Sequence, residues 1–171
     1  MRWTRRLVLS FVLLAILALG GIAAHGPVGP LAGGPLLGEQ VREPISDWSF
    51  TDAHAEIQVQ TRIGFLPYSV TTWSLSHQGR LYVPARNGGA KRWVQRVLAD
   101  PDARIRIAGK VYPVRFERVT RSEETEPVGR LMLAKYLGIE AEQVRALSGP
   151  TSDGHPRAEI WIFRVESRDA G

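Results

Sequence analysis

Cysteine is absent from all 171 residues. Its absence removes disulfides, thiolate metal sites and cysteine nucleophiles together. Histidine is scarce, and His54, His77 and His155 lack metal-ligand spacing, so no metal is expected. Serine and aspartate are present, but no Gly-x-Ser-x-Gly elbow or other nucleophile motif accompanies them, and hydrolase chemistry has no support. No internal repeat points to a solenoid or propeller. The most local deficit is acidic charge. Between Glu56 and Asp100 there is no Asp or Glu, while Arg62, Arg80, Arg86, Lys91, Arg92 and Arg96 fall in that interval. From Glu39 onward 19 Lys and Arg face 17 Asp and Glu, so the near-neutral remainder conceals one strongly basic stretch.

What is present begins with a long apolar run. Leu7 to Ala24 contains only Ser10 as a polar residue and follows Arg2, Arg5 and Arg6. A run of this length without charge reads as a membrane anchor or signal segment over residues 1–24. Its end, Gly21-Ile22-Ala23-Ala24-His25, offers a poor small-x-small cleavage site. A single-pass anchor in the inner membrane is therefore expected, with a cleaved and secreted or periplasmic form as the alternative. The arginines should stay on the cytoplasmic side, leaving the domain outside. Thr4-Arg5-Arg6-Leu7-Val8-Leu9 also resembles a twin-arginine export signal, which carries folded proteins. Residues 25–38, with three prolines and five glycines, read as a linker, and residues 39–171 as one domain with a single core.

Period-two patterning dominates that domain. Ile57, Val59 and Thr61 alternate with Glu56, Gln58 and Gln60, as in a half-buried strand. Strands are expected near 56–61, 68–77, 80–85, 103–108, 111–119 and 157–166. His77-Gln78-Gly79 and Gly109-Lys110 mark hairpin turns. Ile160 to Phe163 is apolar on both faces, as a strand covered on both sides would be. Two helices interrupt the strands. In the first, Trp93, Val94, Val97 and Leu98 share one side, and Asp100-Pro101 stops it. The second has Thr120 as its N-cap with Glu123 in the capping-box position and ends at Gly138; a short helix over residues 140–147 follows. The expectation is a mainly β fold with α insertions: a six-stranded antiparallel barrel behind an N-terminal transmembrane helix.

The first helix raises a question of charge. Asn87-Gly88-Gly89 opens it, yet Lys91 and Arg92 stand at its start, where the helix dipole disfavours cations by a few tenths of a kcal/mol, at least ~0.3 each. A basic, solvated face is the plainer reading. The sharper one is a recessed anion site, in which a glycine turn, a helix N-terminus and nearby cations hold a phosphate.

The stretch Leu81 to Val119, "LYVPARNGGAKRWVQRVLADPDARIRIAGKVYPVRFERV", resembles the core of the flavin- and deazaflavin-dependent reductases of the pyridoxamine-phosphate-oxidase-like split β-barrel superfamily. The Trp93 to Pro101 spacing is similar to the deazaflavin-dependent nitroreductase and quinone reductase branch. Of that branch's basic, glycine-containing loop, only Arg62 and Gly64 have counterparts. The resemblance, spanning roughly Ile57 to Val119, implies a phosphate-bearing cofactor, FMN or a deazaflavin. It implies Lys91 and Arg92 at the phosphate or anionic tail, Arg86 and Asn87 lining the same pocket, Thr71 along the ring system and Arg62 closing it. No catalytic acid or base is implied, since the ring carries the hydride and the protein positions it.

Trp73, Trp93, Trp161 and Phe163 are better read as core than as base-stacking platforms, so no nucleic acid partner is expected. Two classes of function follow. One is a membrane-anchored oxidoreductase acting on a quinone or nitro-type substrate; the other is a cofactor-free extracytoplasmic binding or interaction module. A homodimer is left open as the assembly.

Overall fold

A computed structural model describes residues 11–12, 26–138 and 159–169. The strands are β1 (Glu39–Gln40), β2 (Glu56–Ile63), β3 (Leu66–Trp73), β4 (Leu75–His77), β5 (Arg80–Arg86), β6 (Asp102–Ile107), β7 (Lys110–Val119) and β8 (Ile160–Ser167). The helices are α1 (Arg92–Ala99) and α2 (Ser122–Leu137), with short 3-10 turns at Ser49–Ala53 and Gly88–Ala90. The strands pair in the order β3-β2-β6-β7-β8-β5-β4, antiparallel throughout, and β1 lies parallel on β7. β3 and β4 stand at opposite ends of that order, yet Ser74 alone separates them in the chain. The sheet must therefore curl until its two ends meet. This is a mainly antiparallel β architecture with few helices, consistent with a split barrel.

Eight strands stand among the described residues where six were expected, because the segment 68–77 divides at Ser74 and Glu39–Gln40 adds β1 alongside β7. β3 forms its ladder with β2 from Glu56↔Trp73 to Ile63↔Leu66, whereas β4 pairs with β5. The break is held by α2. The Tyr136 hydroxyl accepts the Ser74 N–H at 3.0 Å, and the Ser74 carbonyl accepts from Tyr136 Oη and from Lys135 Nζ at 3.1 Å. These side chains replace the ladder partners that Ser74 lacks. The second hairpin turn falls one residue earlier than expected, at Ala108-Gly109, with Ile107 opposite Lys110.

The main core fills the curl of the sheet, where Ile57, Val59, Val83, Ile105, Val114 and Phe163 are all buried. α1 adds Trp93, Val94 and Val97; Leu98, expected on the same side, is exposed because its helix position turns away from the sheet. A second cluster lies outside the curl, where Val128 and Met132 of α2 cover Leu75, Tyr82, Val119 and Ile162. β8 thus buries Phe163 on one face and Ile162 on the other, while Ile160 at its start is exposed. α2 begins one residue later than expected. Thr120 is not its cap, because the chain stays extended through Arg121 (φ −75°, ψ 128°), which holds the N-cap position without a side-chain bond. Glu123 and Glu124 sit in the first turn and suit the dipole, and Gly138 ends the helix at φ 62°.

Residues 26–38 do not stand clear of the domain. Gly33 and Ser69 exchange backbone hydrogen bonds at 2.9 Å, Ser69 Oγ donates to the Gly34 carbonyl at 2.7 Å, and Leu36 is buried. The segment is a strap across the outer face of β3, β2 and β6. The expected anchor, residues 1–24, lies outside the described residues apart from Phe11 and Val12, which are helical. The expected helix over residues 140–147 lies outside them too. Among the described residues no helix is long and apolar enough to cross a membrane.

Candidate functional site: a groove with a cationic end

The turn after β5 is built for close approach. Asn87 adopts a left-handed conformation (φ 54°, ψ 47°), its N–H donates to the Glu159 carbonyl at 2.8 Å, and its carbonyl accepts from Ala90 at 2.9 Å. Gly88 needs its missing side chain for space: a Cβ there would lie 2.5 Å from Trp161 Cγ. Arg118 covers the same Trp161 ring at 3.4 Å from its centroid. Lys91 then occupies the N-cap of α1 in an extended conformation, with no side-chain capping bond and no acidic residue in the first turn. Nothing within the helix itself answers the positive end of its dipole.

This turn opens onto a groove of about 1660 Å³. Arg86, Lys91 and Arg92 line one end of it, and all three are exposed. Val70, Thr71, Thr72 and Trp73 contribute from β3, which is an edge strand and so presents both faces to the groove. α2 supplies an opposing wall through Thr125, Gly129, Met132 and Leu133, and the strap adds Pro30 and Ala32. Glu56, Glu126 and Arg130 also lie on the wall; Arg130 is 3.9 Å from Glu126. Trp73 stacks on Tyr136 at 4.3 Å with the rings 4° from parallel.

Of the six residues expected at a site, Thr71, Arg86, Lys91 and Arg92 share this groove. Asn87 shapes the turn beneath Lys91 without lining the wall. Arg62, on β2, is exposed beside the groove and not on its lining; its carbonyl accepts from Arg96 Nη1 at 2.9 Å. Arg92 and Arg96 lie 5.9 and 5.2 Å from the centroid of Tyr68, another lining residue. Tyr68 carried only a strand signal in the sequence, and Trp73, read there as core, is exposed on the groove wall because it ends the edge strand β3. The α2 and strap residues carried none, since their place on the wall depends on where those segments dock.

The wall formed by α2 is fastened by a half-buried ionic cluster. Glu124 accepts from the Tyr82 hydroxyl at 2.9 Å and from Arg164 Nη1 at 3.0 Å, and Arg164 Nη2 donates to Glu117 at 2.6 Å. Burial works to raise the Glu124 pKa, but the Tyr82 and Arg164 hydrogen bonds and the Arg164 and Arg121 charges together hold it below the usual glutamate range. Burial, reinforced by Glu124, pushes the Tyr82 hydroxyl up, so it stays protonated and donates.

A family profile described as "Uncharacterized protein conserved in bacteria (DUF2255)" matches residues 50–155. The chain belongs to that family. Those residues span most of the sheet, α1 and α2, and include the six expected site residues. No curated protein matches the chain. Among solved structures, it is similar to a putative pyridoxamine 5'-phosphate oxidase from Listeria innocua (TM-score 0.48, 10% identity, covering 69% of this chain and 87% of that one). It is also similar to a FAD-binding protein from Mesorhizobium loti (TM-score 0.45, 14% identity, 69% and 84% covered). The heme storage protein HutZ from Vibrio cholerae is a third (TM-score 0.48, 13% identity, 71% and 87% covered). Likenesses this remote say nothing about ligand, substrate or assembly.

Proposed function

We propose that the chain is a membrane-held split-barrel oxidoreductase whose groove takes a phosphate-bearing flavin or deazaflavin. The observation that carries this reading is the convergence of Arg86, Lys91 and Arg92 at one end of a groove that also holds Thr71. Among the described residues these three cations, set around an uncapped helix start, form no ion pair, and a phosphate or anionic tail would supply a counter-charge. The groove is larger than the roughly 300–1,000 Å³ of a typical ligand pocket. It therefore has room for a cofactor and a second molecule together. Arg86, Lys91 and Arg92 would hold the phosphate, and Thr71 would lie along the ring system. A bound flavin or deazaflavin supplies hydride transfer to a quinone or nitro-type substrate. The chain's own part is to bind and orient, and the wall of Met132, Leu133 and Trp73 would exclude water from the apolar half. Residues 1–24 would hold the domain at the inner membrane, with residues 39–171 on the extracytoplasmic side.

Replacing Lys91 and Arg92 together with Gln tests the phosphate assignment. Each removes a charge-assisted contact of about 1.5–3 kcal/mol, so affinity should fall by roughly two to four orders of magnitude. Calorimetric titration of parent and variant with FMN, a deazaflavin and inorganic phosphate reads this directly. A parent that binds none of the three overturns the reading in favour of a cofactor-free interaction module.

A further inference from the structure

The β2–β3 hairpin ends in two apolar residues that the fold does not use. The strands stay in register up to Ile63↔Leu66, so Gly64 and Phe65 alone make the turn. Gly64, at φ 58°, meets the turn's need for a left-handed residue. Nothing in the turn calls for an aromatic ring next to it. Yet Phe65 is 103% exposed and Leu66 68% exposed. Behind this tip stand Arg62, exposed on β2, and Arg96, whose guanidinium reaches the Arg62 carbonyl. Of the carboxylates at this end of the sheet, Asp102 is already engaged by Arg115 at 2.9 Å and Arg168 at 2.8 Å. An apolar tip with a cationic collar matches an anionic lipid interface, where the ring enters the headgroup boundary and the guanidiniums stay outside it.

The strap sets the distance. The apolar run ends at Ala24, and by Pro27 the chain is already on the sheet, its carbonyl accepting from Gln58 Nε2 at 3.2 Å. His25 and Gly26 are all that lie between, a span of about 7–11 Å when extended. From Gln58 to Gly64, β2 advances roughly 20 Å. A chain that leaves the bilayer at Ala24 therefore keeps the Gln58 part of β2 near the lipid surface, and the tip, roughly 20 Å farther along the strand, reaches that surface when β2 lies along it. The strap tethers the domain closely where a free linker would have let it drift.

We propose that the Gly64-Phe65-Leu66 tip inserts into the surface of the bilayer that holds residues 1–24, with Arg62 and Arg96 against anionic headgroups. The proposal rests on the membrane reading above. It sets the cationic end of the groove, next to Arg96, at the lipid surface.

The chain's lack of cysteine permits a direct test. Leu66→Cys and, separately, Gln78→Cys are labelled with an environment-sensitive fluorophore in the full chain. The Ser76 N–H donates to Asp52, four residues ahead of β2, at 2.9 Å, and the Gly79 carbonyl accepts from Trp48 at 2.9 Å, so the β4–β5 turn containing Gln78 lies toward the Glu56 end of β2, away from Leu66. Each protein is reconstituted into phosphatidylcholine vesicles with and without phosphatidylglycerol. The expected result is flotation with the vesicles, a blue shift and quenching by lipid-borne nitroxide at position 66, at a depth of roughly 5–10 Å, and neither effect at position 78. The shift at position 66 should need the anionic lipid, weaken at high salt and disappear when Phe65→Ser is added. Flotation with position 66 still in water overturns the hairpin proposal and leaves the anchor standing. A chain that does not float overturns both. A shift at position 66 without nitroxide quenching assigns the tip to a protein partner or a second copy and also overturns the proposal.

Discussion

Gly88 and Gly89 are neighbours in one turn, but replacing each with Ala should move stability in opposite directions. Neither has a left-handed φ, so space decides. A Cβ at Gly88 meets Trp161 at 2.5, 2.6 and 2.7 Å, distances that force something to shift. The ring has little freedom to retreat: Arg118 lies over it, and its Nε1 is buried. Overpacking of this kind costs about 1–3 kcal/mol. For a chain of this length that is a fall in Tm of roughly 2–12 °C. At Gly89 the nearest atoms to a new Cβ are 3.5 Å away, in ordinary contact. There Ala reduces the freedom of the unfolded chain and should stabilise by about 0.4–1 kcal/mol, or roughly 1–4 °C. Thermal unfolding followed by circular dichroism, with Trp emission as a second probe, measures both. Gly88→Ala should also weaken ligand binding, since the turn it displaces carries Lys91 and Arg92. Equal melting temperatures for the two variants would refute the reasoning, because only the approach of Gly88 to Trp161 distinguishes them.

Tyr136→Phe keeps the stack on Trp73 but strips the Ser74 N–H of its acceptor, so stability should fall by about 1–3 kcal/mol in urea unfolding; an unchanged midpoint would mean that water replaces the hydroxyl. Because the folded-state pKa of Glu124 is depressed, its contribution is present above the ordinary glutamate range, roughly pH 4.3, and is lost as the pH falls through the folded value. Glu124→Gln should therefore lower stability at neutral pH and flatten this part of the acid limb, as unfolding midpoints measured down the pH scale will show.

Local features of the chain were legible without any structure because they depend on neighbours in sequence. Ile57, Val59 and Thr61 alternate in the sequence and are all buried. Trp93, Val94 and Val97 mark the face of α1 that enters the core, and Gly138 ends α2. The basic interval between Glu56 and Asp100 was equally plain, as was the oddity of cations at a helix start. The order of the strands was not. β6 joins β2 to β7, and β8 lies between β7 and β5, through hydrogen bonds between segments up to about eighty residues apart, and such pairings leave no trace in local periodicity. The division at Ser74 has the same origin: a continuous strand pattern is cut because its two halves pair at opposite ends of the sheet. The groove followed from the fold as well. Arg86, Lys91 and Arg92 are close in sequence, but Thr71 joins them because β3 ends the sheet where α1 begins. α2 completes the wall because Leu75, Tyr82, Val119 and Ile162 give it an apolar face to cover, and the strap does so because Ser69, Gln58 and Gln60 hydrogen-bond it to the sheet.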